Sequence, residues 1–202
     1  MKNPMTQQKK LITLFKRNGV VRPRDLEASH IPREVLQRLY KNGIVQRVGY
    51  GLYRLSAASI SEHYTLAEVS KSVPMGVVCL LSALRFHGLT TQAPHEIWIA
   101  VDTRAYTPKM AIPVHFVRFS GVALTEGVVT HKVDGVKVKV YCPAKTVADC
   151  FKYRNKIGLD VVLEALRESQ RARVCTVDEL WHYAKICRVG VVMRPYMEAL
   201  TI

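Results

Sequence analysis

A change of apolar spacing inside residues 32–55 constrains the fold of this chain more than any other feature. The first half carries apolar residues at helical spacing, namely Val35, Leu36 and Leu39. The second half alternates apolar and polar residues on both sides of the turn Gly49–Gly51, as two paired strands do. The pattern therefore predicts a helix followed directly by a β-hairpin, which is the order of a recognition helix and its wing.

Two further helical patterns precede this segment. Leu11 and Phe15 share one side of the first pattern, and Gly19 ends it as a C-cap does. Pro23 can sit in the first turn of the second, which turns Leu26 inward. The predicted elements are helices over 7–16, 24–28 and 32–42 and a hairpin over 44–55. We therefore expect residues 1–57 to form a winged helix-turn-helix domain.

The charge of the chain is concentrated in this domain. The whole chain has a formal net charge of +14. Residues 1–57 hold twelve Lys and Arg against three Asp and Glu, a net +9, whereas residues 58–202 hold eighteen against thirteen, a net +5. Such a balance favours a polyanionic partner, either nucleic acid or an anionic membrane surface. The asymmetry predicts that the N-terminal domain makes that contact.

The polar side of the third helix carries the residue types that read duplex DNA. Arg33, Gln37 and Lys41 follow one another at intervals of four, with Arg38 beside them. Arginine bonds guanine and glutamine bonds adenine in the major groove, although an ordinary solvated face is the alternative interpretation. Basic and aromatic side chains of the hairpin can contact phosphate or the minor groove. The predicted DNA-contacting residues are Lys16, Arg17, Arg22, Arg24, Arg33, Gln37, Arg38, Lys41, Arg47, Tyr50 and Arg54.

The remainder of the chain, residues 58–202, alternates strand and helix patterns. A helix over 62–72 with Ser61 as its cap is predicted first, then a short strand passing into a buried helix over 77–87. Strands are predicted over 96–101, 114–118, 128–133 and 136–141, and helices over 145–153, 159–169, 177–187 and 196–200. Asp134-Gly135 is typical of a type I′ turn. The predicted class is α+β, with an antiparallel sheet followed by C-terminal helices.

Cysteine and apolar content indicate a cytoplasmic protein. The five cysteines are an odd number without a C-x-x-C pair, which is typical of reduced thiols. Neither His nor Cys has zinc-ligand spacing, so we predict no metal and no cofactor. The most apolar stretch, residues 73–84, is too short to span a bilayer, and the polar start does not resemble a signal peptide.

Five segments of the chain resemble the AbiEi antitoxins of abortive-infection systems. Residues 19–26, 31–39 and 43–53 are similar to the N-terminal domain of that family. Residues 81–90 and 143–160 are similar to its C-terminal domain, and the resemblance extends to residues 194–200.

This resemblance implies a type IV toxin-antitoxin function in defence against phage. It implies a repressor of its own two-gene operon that binds inverted repeats in the promoter. It also implies that the second domain counters a nucleotidyltransferase toxin without forming a stable complex with it. Because the chain has no coiled-coil heptads, we expect a monomer in solution and two copies on DNA.

Catalysis in the second domain is the main rival hypothesis. Glu96, Asp102 and Lys109 are candidate metal-binding and phosphate-binding residues of a nuclease, but their order does not fit the common nuclease pattern. Lys145 and Asp149 are four apart and equally fit a simple ion pair within one helix. The P-loop and hydrolase motifs are absent, so we predict that the protein is not an enzyme. A module that binds protein or RNA is the remaining alternative.

Overall fold

A computed structural model describes residues 4–49, 51–57 and 63–200. The chain divides into two compact units. Among the described residues, the first unit takes those up to Pro74, together with Pro108–Ile112 and His131–Val138. The second unit takes Met75–Thr107, Pro113–Thr130 and the described residues from Lys139 onward. The predicted domain boundary, between 57 and 58, adjoins residues 58–62, which lie outside the described ranges, and it stays a prediction.

The first unit contains the predicted order of three helices and a hairpin. Its helices are α1 (Pro4–Asn18), α2 (Pro23–Glu27), α3 (Arg33–Lys41) and α4 (Tyr64–Ser72), and its strands are β1 (Val20–Val21), β2 (Val45–Gly49) and β3 (Leu52–Leu55). The predicted cap Ser61 lies outside the described residues. Apolar side chains of α1, α2 and α3 form one buried cluster, which includes Leu11, Phe15, Leu26, Leu36 and Leu39. The winged helix-turn-helix prediction is confirmed.

Strand β1 was not predicted from the sequence. It pairs antiparallel with β3, with Val20 opposite Arg54, and the sheet order is β1-β3-β2. Two residues are too few to show an alternating pattern, although both valines are buried. The strand ties the end of α1 to the hairpin.

A close backbone contact brings residues 131–138 into the first unit. Gly19 has a φ of +63°, and a Cβ there would lie 1.6 Å from the carbonyl oxygen of Asp134. A Cβ on Gly135 would lie 2.6 Å from the carbonyl oxygen of Arg17. Glycine is therefore required at both positions. Asp134 and Gly135 both have positive φ, as the predicted type I′ turn demands.

The second unit holds the helices of the C-terminal half. They are α5 (Leu80–Phe86), α6 (Val122–Thr125), α7 (Pro143–Lys152), α8 (Arg154–Ile157), α9 (Leu159–Arg171), α10 (Val177–Cys187) and α11 (Gly190–Leu200). The predicted capping box opens α10, where Thr176 Oγ1 accepts a hydrogen bond from the Glu179 backbone at 3.2 Å. Helix α11 begins at Gly190, earlier than the predicted residue 196. Glycine and proline are disfavoured inside helices, so Gly190 and Pro195 conceal the first part of this helix in the sequence.

A five-stranded sheet with mixed pairing completes the fold. Its strands are β4 (Val77–Val78), β5 (Ile97–Asp102), β6 (Val114–Phe119), β7 (Val128–Val133) and β8 (Val136–Tyr141), in the order β6-β5-β4-β8-β7. The pair β4·β5 is antiparallel, whereas β5·β6 and β4·β8 are parallel. The α+β class is confirmed, and the sheet that was predicted as antiparallel also contains two parallel pairs. Long connections allow parallel neighbours, and alternation within a strand does not reveal its partner's direction.

A buried ion pair lies inside the helical layer of the second unit. Lys145 Nζ lies 2.5 Å from Asp149 Oδ2, and both side chains are at most 2 % exposed. Cys187 Sγ donates a hydrogen bond to Asp149 Oδ1 at 3.1 Å, and Lys145 Nζ lies 4.3 Å from the centre of the Tyr141 ring. Burial raises the pKa of the Asp149 carboxyl, and the Lys145 charge partly opposes that shift. The pair is thus the i, i+4 pair that the spacing allowed.

We expect Asp149→Ala to destabilise the second unit strongly. Removing the carboxylate leaves the Lys145 ammonium buried without its partner, which costs about 3–5 kcal/mol of unfolding free energy. Urea unfolding followed by circular dichroism measures this loss. The double variant Lys145→Met/Asp149→Leu removes both charges at similar volume and is expected to match or exceed the wild type. An equal loss of unfolding free energy in the single and double variants would indicate that altered packing, and not the unpaired charge, causes the loss.

Candidate nucleic-acid interface

Helix α3 presents its predicted polar face to solvent. Leu36 is 3 % exposed and Leu39 is fully buried, so their side of the helix packs into the core. The four predicted contact residues on the opposite side are all exposed, namely Arg33, Gln37, Arg38 and Lys41. A nine-residue helix with one buried and one cationic side fits the major groove of duplex DNA.

Arg33 already has an acidic neighbour on this face. Its Nη2 lies 2.5 Å from Glu27 Oε1, at the end of α2, and both side chains are more than 60 % exposed. An exposed ion pair contributes at most about 1 kcal/mol, because water screens both charges. Arg33 can therefore exchange this partner for a base edge at small cost.

The wing presents one of its two predicted cations to solvent. Arg47 on β2 is exposed, and its Nε donates a hydrogen bond to the carbonyl oxygen of Gly49 at 3.1 Å. The register between β2 and β3 shifts between Arg47 and Gly49, so a β-bulge precedes the tip. Tyr50 at the tip lies outside the described residues.

Arg54 on β3 lies in a different environment from the other predicted cations. Its guanidinium carbon is 5.0 Å from the centre of the Tyr64 ring on α4. The Gln46 amide, oriented with its oxygen toward Arg54, accepts a hydrogen bond from Arg54 Nε at 2.7 Å. Arg54 is half-buried, and these contacts direct it toward α4. This placement favours a structural role for Arg54.

The predicted cations of α1 and α2 differ in exposure. Lys16 and Arg17 are exposed in the last turn of α1, and Arg24 is exposed on α2. Arg22 is half-buried, and its backbone N–H donates to Asp25 Oδ2 at 2.9 Å to cap α2. Its Nη2 is buried without a hydrogen-bond partner among the described residues. Of these four residues, Lys16, Arg17 and Arg24 are the accessible ones.

Two lysines outside the predicted set share a groove with Arg17. The groove has a volume of about 480 Å³ and is lined by Thr6, Lys9, Lys10, Thr13, Leu14, Arg17, Ser29 and Ile31. None of these lining residues is acidic. The signal in the sequence was the helical spacing of residues 6, 9, 10, 13 and 17, which places them on one stripe of α1. Lys9 and Lys10 therefore extend the cationic surface of the first unit.

The candidate nuclease residues have other neighbours. Glu96 Oε2 lies 3.3 Å from His115 Nδ1, and Asp102 Oδ1 accepts a hydrogen bond from the Arg104 backbone at 2.8 Å. Lys109 belongs to the first unit, whereas Glu96 and Asp102 belong to the second. In the part of the chain that the structure describes, no three His, Cys, Asp or Glu residues group as metal ligands would. Within the same ranges, every helix is too short or too polar to cross a membrane.

Comparison with solved structures supports the fold over most of the chain. The crystal structure of the RV2827C protein from Mycobacterium tuberculosis is similar, with a TM-score of 0.59 and 16 % sequence identity. The similarity covers 89 % of this chain and 71 % of that one. At this identity the likeness concerns the fold alone.

Comparison with protein families concerns the first unit. No curated protein matches the chain. Residues 9–56 match the family model described as "Transcriptional regulator, AbiEi antitoxin". This match covers most of α1 and all of the elements from β1 to β3. Residues 9–56 are therefore similar to the transcriptional-regulator domain of AbiEi antitoxins, the family that the sequence motifs predicted.

Proposed function

We propose that this protein represses its own operon by binding DNA and is the antitoxin to a nucleotidyltransferase toxin. The observation that carries the proposal is the exposed cationic face of α3 within a domain that matches AbiEi regulators. A basic helix face is common in proteins. Here the helix that carries this face packs on a buried helical core and is followed directly by a wing. That combination supports recognition of duplex DNA.

In this proposal, α3 enters the major groove and its side chains read base edges. Arg33 bonds guanine N7 and O6 after leaving Glu27, and Gln37 bonds adenine N6 and N7. Arg38 and Lys41 follow along the same helix and contact the groove edge or phosphate. Specificity therefore depends on Arg33 and Gln37.

The other exposed cations supply affinity without sequence preference. Lys16, Arg17 and Arg24 contact phosphates from α1 and α2, and Arg47 does so from the wing. Each neutralised phosphate releases counterions, so binding weakens as salt increases. Two copies of the protein, monomeric in solution, occupy the two halves of an inverted repeat.

The second unit supplies the antitoxin activity in this proposal. Its support is the resemblance of residues 81–90 and 143–160 to the C-terminal domain of AbiEi antitoxins. The helices α5 and α7 carry most of these two segments. The activity counters a nucleotidyltransferase toxin without a stable complex between the two proteins.

We expect the α3 variants Arg33→Ala and Gln37→Ala to lose base preference. Each removes a contact to a base edge, which costs about 1–3 kcal/mol on the preferred site and much less on random DNA. Fluorescence anisotropy with a duplex from upstream of the gene and a scrambled duplex measures the difference. Lys16→Ala is the matched control and should weaken both duplexes alike while lowering the salt slope by about one. Equal losses on both duplexes in all three variants would contradict the assignment of α3.

We expect Glu27→Gln to tighten binding to the upstream duplex by up to about fivefold, since a surface ion pair contributes at most about 1 kcal/mol. The substitution frees Arg33 from its ion pair before DNA arrives. Glu34→Gln on α3 removes the same charge but leaves the pair of Arg33 and Glu27 intact. A larger gain in affinity for Glu27→Gln than for Glu34→Gln supports the role of Arg33. Equal gains would indicate that the change in net charge alone strengthens binding.

We expect repression and antitoxin activity to separate in the double variant Arg33→Ala/Gln37→Ala. A reporter gene behind the upstream promoter should be derepressed, because the altered residues lie on α3 in the first unit. When the variant is expressed from an unrelated promoter with the neighbouring toxin gene, growth should be protected as in the wild type. Loss of protection at equal protein levels would contradict this division of roles.

A further inference from the structure

A buried carboxylate lies beside the wing in the most cationic part of the molecule. Glu68 on α4 is only 5 % exposed. A Cβ on Gly49 would lie 2.9 Å from Glu68 Oε1, so the carboxylate packs against the last residue of β2. Charged groups are rarely buried without an opposite charge nearby. The position of Glu68 therefore calls for a specific partner.

Arg54 supplies that opposite charge. Burial raises the pKa of the Glu68 carboxyl, and the positive charge of Arg54 acts in the opposite direction. The Tyr64 ring, one turn earlier on α4, packs against the Arg54 guanidinium as a cation–π contact. Burial and the Glu68 charge raise the pKa of Tyr64 to about 12, so its hydroxyl stays neutral. Arg54 thus contacts Gln46 of the wing and the Tyr64 ring of α4, and its charge acts on Glu68.

The other end of α4 is fixed to α2. Lys71 Nζ lies 3.0 Å from Asp25 Oδ2, and the same oxygen accepts the Arg22 backbone hydrogen bond that caps α2. Lys71 and Glu68 are three residues apart and share one side of α4. The nine residues of α4 span about 13 Å, at 1.5 Å each, and connect the helical core to the wing.

We propose that α4 positions the wing for DNA through the packing of Glu68 against Gly49 and of the Tyr64 ring against Arg54, and that Arg54 is a positioning residue instead of a phosphate contact. This inference rests on the proposed DNA-binding function. Strand β2 lies at the edge of its sheet and pairs with β3 alone, so contacts beyond the sheet are needed to fix the orientation of the wing. The contacts with α4 restrict it, and DNA then meets Arg47 in the orientation that binds.

The charge of Glu68 makes the test decisive, because a net-charge effect and a positioning effect predict opposite changes in the DNA affinity of Glu68→Gln. If only net charge matters, Glu68→Gln removes a negative charge and strengthens binding to DNA. If Glu68 positions the wing, the same change weakens binding, because a smaller fraction of the protein has a competent wing. We expect the Kd for the upstream duplex to rise about tenfold, as it would if the competent fraction fell to about a tenth.

One control variant of the full chain accompanies Glu68→Gln. Glu34→Gln removes an exposed negative charge from the same unit and should strengthen binding or leave it unchanged. Thermal melting of each variant verifies that the protein is folded at the temperature of the binding assay.

A second variant and a second measurement keep the test independent of the stability of Glu68→Gln. Gly49→Ala places a methyl group against Glu68 Oε1 and should weaken binding in the same direction. Amide hydrogen exchange should accelerate in residues 45–49 and 52–55 of both variants, while α1 and α3 keep the wild-type rates.

Three outcomes overturn the inference. The first is binding by Glu68→Gln that equals or exceeds the wild type while Glu34→Gln behaves as expected. The second is exchange that accelerates across the whole first unit, which indicates general destabilisation. The third is unchanged binding by Gly49→Ala. Failure of the wild-type protein to bind any duplex in dilute salt would instead refute the proposed function itself.

Discussion

The burial of Leu36 and Leu39 against α1 and α2 is the constraint on which the candidate interface depends. These two side chains fix the rotation of α3 about its own axis, because they are buried in the apolar cluster that α3 forms with α1 and α2. Consecutive residues of a helix are about 100° apart, so a shift of one position would turn Arg33 and Gln37 away from the exposed side. The direction in which the cations point is therefore a consequence of the hydrophobic core.

The acidic residues of the first unit fix geometry more than they balance charge. Two of them form ion pairs, Asp25 with Lys71 and Glu27 with Arg33, and the charge of Arg54 acts on a third, Glu68. These acidic residues differ in burial, and their expected effects differ with it. The exposed pair of Glu27 contributes little and can be exchanged for DNA, whereas the buried carboxylate of Glu68 is costly to leave without a nearby positive charge. Glu27 is thus a replaceable partner for α3, whereas Glu68 holds a fixed position on α4.

Local patterns in the sequence predicted the parts of the fold that depend on local order. Helices α1 and α3, the wing and the Asp134-Gly135 turn follow from apolar spacing and turn chemistry. The parallel pairs β5·β6 and β4·β8 were not predictable, because strand direction depends on contacts between residues far apart in the chain. The two-residue strand β1 was too short to show a pattern. Helix α11 contains a proline, which local rules exclude from a helix interior.

The candidate interface was likewise predictable where it depends on local spacing, but not where it depends on packing between separate elements. The exposed residues of α3 follow from helical spacing. Arg54 was assigned to DNA because alternation in β3 does not reveal which face another element covers. That face packs against α4, where the Tyr64 ring contacts Arg54 and the charge of Arg54 acts on Glu68. Lys9 and Lys10 were not predicted as DNA contacts. The stripe that they share with Arg17 becomes apparent only when the whole of α1 is considered.

The buried pair of α7 limits which residues of the second unit can act on a toxin. Lys145 and Asp149 lie in the segment 143–160 that resembles AbiEi antitoxins, and Thr146 between them donates to the Tyr141 carbonyl oxygen at 3.1 Å. All three residues are at most 1 % exposed, and their polar groups are satisfied within the unit. The polar residues Lys145, Thr146 and Asp149 are therefore explained by folding, because a buried side chain cannot touch another protein. In the proposed function, a direct contribution of this segment would therefore come from its exposed residues, which include Lys152, Asn155 and Lys156.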